Sequence, residues 1–176
     1  MDLRVVKTKR NIREAFLELR SKQTLEKIKV KRLCELALIN KTTFYKHYQN
    51  IYALSEEIED ETIVAIMNSF EHINSLFVDP ESFIKGLYYA FKSHEGLIMT
   101  LFSGRMNVLL DKIESHLFTH YPSLSGIPEK EILLSFLLRG ASHVLMEFKY
   151  DEAILLDTVS KITHQVIISV NVETIR

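Results

Sequence analysis

Between Ile39 and Tyr48 the chain reads INKTTFYKHY, a stretch whose side chains suit hydrogen bonding and charge pairing with a nucleic acid. Asn40 is placed as a helix N-cap, its side-chain oxygen taking a free backbone N–H of the next turn. Lys41, Thr42 and Thr43 then stand at the start of a very short helix, where donors and acceptors can reach a base edge. Tyr45, Lys46 and His47 flank that point and can touch phosphates. Phe44 and Tyr48 are expected to anchor the helix from behind.

The elements that position these residues lie just upstream. Val30, Leu33, Cys34 and Ala37 fall at i, i+3, i+4 and i+7, one buried face of a first short helix. The Leu38–Asn40 turn joins the two as a helix-turn-helix, whose second member is built to enter a major groove. Before them a longer helix is expected over about Val5–Lys22, with Ile12, Ala15, Phe16 and Leu19 as its buried stripe. Lys7, Lys9, Arg10 and Arg13 crowd its first half. Helix dipoles favour acids there, so lying along a phosphate backbone is the better reason for that basic start. Plain solvation of an exposed helix face is the alternative.

Charge supports the same use. Residues 1–50 hold 13 Lys/Arg against 5 Asp/Glu, a formal +8, whereas residues 51–176 hold 9 against 18, a formal −9. A near-neutral total therefore hides a basic head on an acidic body. The 47% hydrophobic content supplies a core, and 26% charged residues argue against disorder. Five Gly and three Pro leave little room for an irregular all-β chain. The one cysteine, Cys34, excludes an internal disulfide and a CxxC metal site; on an apolar face it reads as a small buried hydrophobe. No apolar stretch of signal-peptide or membrane-span length is evident. The expectation is a soluble, cytoplasmic protein.

The pattern Ile12-x-x-Ala15-Phe16, then Val30-x-x-Leu33-Cys34-x-x-Ala37-x-Ile39-Asn40-x-x-Thr43-Phe44-Tyr45-x-x-Tyr48, resembles the DNA-binding domain of the TetR family of transcriptional regulators. Residue-level likeness covers about residues 5–58; beyond that it is architectural. The resemblance implies that Thr8 stands where a phosphate contact is common, and that Lys31 matches a position from which some members reach a base. Three departures are specific. Leu38 replaces the usual turn glycine, Lys29 the usual hydroxyl cap, and Ile51 the phosphate-gripping lysine that often starts the next helix. The phosphate clamp then rests more on Tyr45, Lys46, His47 and the basic residues of the first helix.

The rest of the chain reads as helices. One long helix is expected over Ile51–Phe77, its acids Glu56, Glu57, Glu59, Asp60 and Glu61 mostly a solvated face. Asp79-Pro80 starts a helix to about Ser93, Gly96 and Gly104 bracket a short helix Leu97–Phe102, and another runs from Arg105 to His120. The last two, about Pro128–Lys149 and Asp151–Val172, are apolar on more faces than one core requires. Gly140, Ala141 and Ser142 would let another helix approach closely. A homodimer through residues 128–172, built as a four-helix interface about a two-fold axis, follows. The resemblance further implies a small-molecule effector site in the body. Candidate contacts are Met67, Phe70, Tyr88, Phe91, Phe102, Met106, His143 and Met146, although each alone is more often core than ligand contact. Tyr88 and His143 stand out if their polar tips are buried and need a partner.

The expectation is therefore an all-α chain: a three-helix helix-turn-helix domain over residues 1–50, joined by a long helix to a ligand-binding and dimerisation domain over 51–176. Its partners would be palindromic operator DNA, a second copy and an unidentified effector, with repression as the output. His116 and His120 sit at i and i+4 without a visible third ligand, so neither a metal, a cofactor nor a catalytic residue is expected. Two alternatives are a coregulator that works through protein partners without reading bases, and an α-helical enzyme using body His and carboxylates.

Overall fold

In the computed structural model, described here for residues 3–70 and 72–170 without the side chain of Asn74, eight α-helices account for the regular structure and no strand occurs among the described residues. They are α1 (Leu3–Arg20), α2 (Val30–Leu36), α3 (Lys41–His47), α4 (Ile51–Asn68), α5 (Pro80–Phe102), α6 (Met106–His120), α7 (Pro128–Glu147) and α8 (Glu152–Val170). The helices divide between two compact units: residues 1–62 with 96–104, and residues 63–95 with 105–176.

In the first unit α1 packs on α2 and α2 on α3. The expected stripe Ile12, Ala15, Phe16 and Leu19 is buried, as are Leu33, Cys34 and Ala37 of the second helix. Phe44, Leu54 and Ile58 complete this core. Arg20 is buried at the end of α1 and donates to the carbonyl of Leu101 at 3.0 Å. Two further polar side chains in this interior find partners: the Ser55 hydroxyl donates to the buried Glu59 carboxylate at 2.8 Å, and Thr62 donates to the Ile58 carbonyl at 2.7 Å.

In the second unit α7 packs along α8 and against α6. Leu109, Leu110, Ile113 and Leu117 of α6 face inward, with Leu133, Leu134, Leu137, Leu138 and Leu145 of α7 and Leu155, Leu156, Val159 and Ile167 of α8. Ile162 and Val170 of α8 are exposed.

Several boundaries differ from the sequence expectation. The helix from Ile51 ends at Asn68, and Ile73–Ser75 forms a separate 3-10 turn. Phe70, Ile73 and Phe77 keep helical spacing, but apolar spacing alone cannot report a turn between them. The turn lets the Phe70 ring pack 5.0 Å from that of Phe83. Conversely, α5 runs unbroken through Gly96 to Phe102, where two helices were expected. A mid-helix glycine weakens a helix without ending it; of the two glycines Gly96 and Gly104, it is Gly104, at φ 73°, that takes the left-handed conformation. Finally, α8 is long and apolar enough to cross a membrane by length and composition, where none was expected. It packs its apolar face on α7 and carries the exposed pair Asp157–Lys161, the pattern of a bundle helix. The expected end of this helix at Val172 lies outside the described residues.

Candidate nucleic-acid interface

The turn between α2 and α3 is what aims the candidate reading helix. The Ile39 N–H bonds to the Cys34 carbonyl at 3.0 Å and the Leu38 N–H to that of Glu35 at 3.4 Å. With Ala37 as C-cap, this is the Schellman pairing that satisfies orphan carbonyls at a helix end. Its left-handed position is Leu38, at φ 56°, so the chain adopts the turn glycine would favour and accepts the strain. Lys29 provides no side-chain cap for α2. Asn40 does cap α3, its Oδ1 accepting from the Thr43 N–H at 2.7 Å. Asn50 repeats the device for α4, accepting from Tyr52 and Ala53 at 2.9 Å.

Seven residues of α3 divide cleanly between core and surface. Phe44 is fully buried and Tyr48 nearly so, their rings 5.8 Å apart, which seats the helix on the core. Lys41, Thr42, Tyr45 and Lys46 are exposed beside Asn40, and Thr43 and His47 are half-buried at the margins. No acidic residue occurs in α3. Lys31 is exposed on the first turn of α2, which also lacks an acid. These exposed side chains are polar or cationic, with none acidic among them.

Thr8 and Lys9, on α1, are half-buried. Lys9 is engaged: its ammonium lies 3.1 and 3.2 Å from the two carboxylate oxygens of Glu57 and 5.5 Å from the centroid of the Tyr48 ring. The Tyr48 hydroxyl donates to the same carboxylate at 2.8 Å. Arg13 pairs with Glu61. The acid run of α4 is exposed at Glu56, Asp60 and Glu61, yet Glu57 and Glu61 hold cations of α1, and Glu59 is buried. Nothing local in the sequence marks Glu57, because Lys9 is 48 residues away in the chain. Burial works to raise the Glu57 carboxyl, but the hydrogen bonds from Tyr48 and Lys9 overcome it and leave the group below its ordinary range. Burial, reinforced by Glu57, pushes the Tyr48 phenol well above its ordinary range, so it stays a donor. Burial likewise raises the Cys34 thiol.

None of the candidate effector residues lines the apolar groove that opens between α7 and α8. Met67, Phe70, Phe91 and Phe102 are core, and Met106 and Met146 are half-buried. Phe102 belongs to the first unit and the other seven to the second. The premise that singled out Tyr88 and His143 does not hold. Tyr88 is half-buried and its hydroxyl already donates to Glu152 at 3.0 Å, while His143 is exposed and reaches water. The groove, of about 460 Å³, is lined among others by Phe136, Gly140, Val144, Phe148, Ile154 and Ile162. His116 and His120 stack with centroids 4.1 Å apart, and among the described residues no three potential metal ligands converge.

No protein-family model matches this sequence, and no curated protein matches it either. Solved structures do match. A transcriptional regulator (TerR/AcrR family) from Aquifex aeolicus superposes with a TM-score of 0.55 at 20% identity, over 91% of this chain and 97% of that one. The TetR family transcriptional regulator PfmR from Thermus thermophilus gives a TM-score of 0.52 at 16% identity, over 89% and 96%. These structural neighbours are regulators rather than enzymes. Over about nine-tenths of its length, the chain therefore has the fold of the TetR/AcrR-family transcriptional regulators.

Proposed function

We propose that this protein is a DNA-binding transcriptional regulator, a repressor that grips a palindromic operator as a homodimer and is released by a small-molecule effector. The observation that carries the reading is the exposed set Lys41, Thr42, Tyr45 and Lys46 on a helix capped by Asn40 and rooted by Phe44 and Tyr48. Lys41, Thr42 and Thr43 read base edges in the major groove. Tyr45, Lys46 and His47 contact phosphates, as does Thr8 of α1, while Lys31 reaches a base edge. Lys9 joins them only by leaving Glu57. Residues 1–50 form the functional head and residues 51–176 the sensing and dimerising body.

One seven-residue helix offers few base contacts, so two heads are needed, reading half-sites about 34–36 Å apart or multiples of that spacing. The α7–α8 groove and its exposed rim, Ile132, Phe136, Ile154 and Ile162, supply the self-complementary apolar surface a two-fold interface requires. Gly140 has nothing within 4 Å of the position its Cβ would take, which leaves room for a partner's helix. An effector held in the body by residues drawn from Met67, Phe70, Tyr88, Phe91, Met106, His143 and Met146 would bias head spacing. Coupling of about 1–3 kcal/mol is typical of such linkage.

Selection of bound duplexes from a random pool tests this reading. It should return a near-palindrome, and Thr43→Ala or Lys41→Ala should relax preference by roughly 1–3 kcal/mol per lost base pair contact. Lys46→Ala should weaken all duplexes alike. Recovery of no sequence, with binding that ignores salt, would instead favour a coregulator acting through protein partners.

A further inference from the structure

Three helices of the first unit meet at one carboxylate. Glu57, in the second turn of α4, takes the Tyr48 hydroxyl at 2.8 Å and the Lys9 ammonium at 3.1 Å. One turn further along α4, Glu61 holds Arg13 of α1. Tyr48 is the C-cap of α3, its backbone N–H bonding to the Phe44 carbonyl at 3.0 Å. The far end of the helix that presents Lys41 to His47 is thus tied to α4 by a single side chain, and the same side chain occupies a cation of α1.

We propose that Glu57 is a positioning residue for DNA binding: through Tyr48 it sets the aim of α3, and through Lys9 it withholds one cation from the phosphate backbone. The inference rests on the DNA-binding reading above. Its two arms act in opposite directions on different quantities. Without the charge of Glu57, Lys9 is released and the head loses one negative group, so affinity for any duplex rises. With α3 less firmly aimed, the contrast between a chosen sequence and a random one falls. A residue that only stabilised the fold would lower both kinds of binding, and one that only repelled phosphate would raise both alike.

Two substitutions separate the arms. Glu57→Gln keeps the size of the side chain and an acceptor for Tyr48, yet cannot hold Lys9 as an ion. Tyr48→Phe keeps the ring beneath Lys9 and the Lys9–Glu57 pair while removing the hydroxyl. The experiment measures binding of the full-length protein to a random-sequence duplex across a salt series, and amide hydrogen exchange along α2 and α3 without DNA. For Glu57→Gln the expected result is several-fold tighter random-duplex binding, with a log–log salt slope steeper by about 0.9 for the one further phosphate that Lys9 neutralises. Tyr48→Phe should leave that slope unchanged and speed exchange of the last amides of α3 several-fold, with α2 unaffected. An unchanged slope in Glu57→Gln, or exchange that quickens equally over the whole head in Tyr48→Phe, overturns the proposal. Wild-type protein that binds no duplex would refute the DNA reading and the Lys9 arm with it; the exchange data would then still decide whether Tyr48 fixes α3.

Discussion

Replacing Leu38 with glycine should make the protein more stable, although it deletes a large apolar side chain. Leu38 sits at φ 56° in the turn that aims α3, and 88% of its surface is exposed. The side chain therefore contributes little by burial, while the left-handed conformation costs an L-residue about 1–2 kcal/mol. Glycine removes that strain and returns about 0.5–1 kcal/mol through the greater freedom of its unfolded chain. The midpoints leave a net gain of about 0.75 kcal/mol, within a range of about 0–1.5 kcal/mol. For a chain of this length each kcal/mol moves the melting temperature by about 2–4 °C. Chemical denaturation followed by helical circular dichroism reads the change directly. Leu38→Ala is the control, since it removes the same exposed apolar surface but keeps a Cβ and so keeps the strain. If alanine stabilises as much as glycine, or if glycine destabilises, strain at the left-handed position is not the cause.

Other expectations follow from equally local geometry. Asn40→Ala should cost about 1 kcal/mol by stripping the cap from α3, with Asn40→Ser restoring most of it in a thermal melt. Within α5, Gly96→Ala should stabilise by about 0.5–1 kcal/mol, because its Cβ would meet nothing within 4 Å. Gly86→Ala should destabilise instead, since its Cβ would lie 2.7 Å from the Phe70 ring, already packed on Phe83. Overpacking of this kind costs typically 1–3 kcal/mol, so the two variants should melt on opposite sides of wild type. Cys34 should resist aromatic disulfide reagents until denaturant is added, because it is buried and its thiol is pushed up. The folded state then keeps that proton above roughly pH 8.5, where the unfolded chain loses it, so this contribution is whole below that pH and declines above it. Rapid labelling of native protein at neutral pH would contradict that placement. Phe136→Glu or Ile162→Glu should convert a dimer to monomer in sedimentation experiments without changing helix content; wild-type monomer would remove the proposed interface.

The Asn40 cap and the rooted aromatics were legible because each depends on residues within one or two turns. Asn40 precedes a run of α3 whose third amide it takes, and Phe44 and Tyr48 recur at helical spacing. The same local logic misplaced the end of α4 and the continuity of α5. Apolar spacing survives a turn at Ser69–Phe70, and a glycine such as Gly96 does not oblige a helix to stop. Tyr88 and His143 failed for another reason: whether a polar tip is buried depends on what lies across from it, here Glu152 for one and solvent for the other.

Sequence alone determined the all-helical class, the basic head, the cap of α3 and which of its residues face the core, since these follow from composition and short-range periodicity. Tertiary structure decided the use of Lys9 by Glu57 and the opening of the apolar groove between α7 and α8. Those depend on pairs as far as 48 residues apart. Whether such a pair forms is set by how the helices pack, and hydrophobic spacing along one helix carries no record of which partner another helix will bring to it.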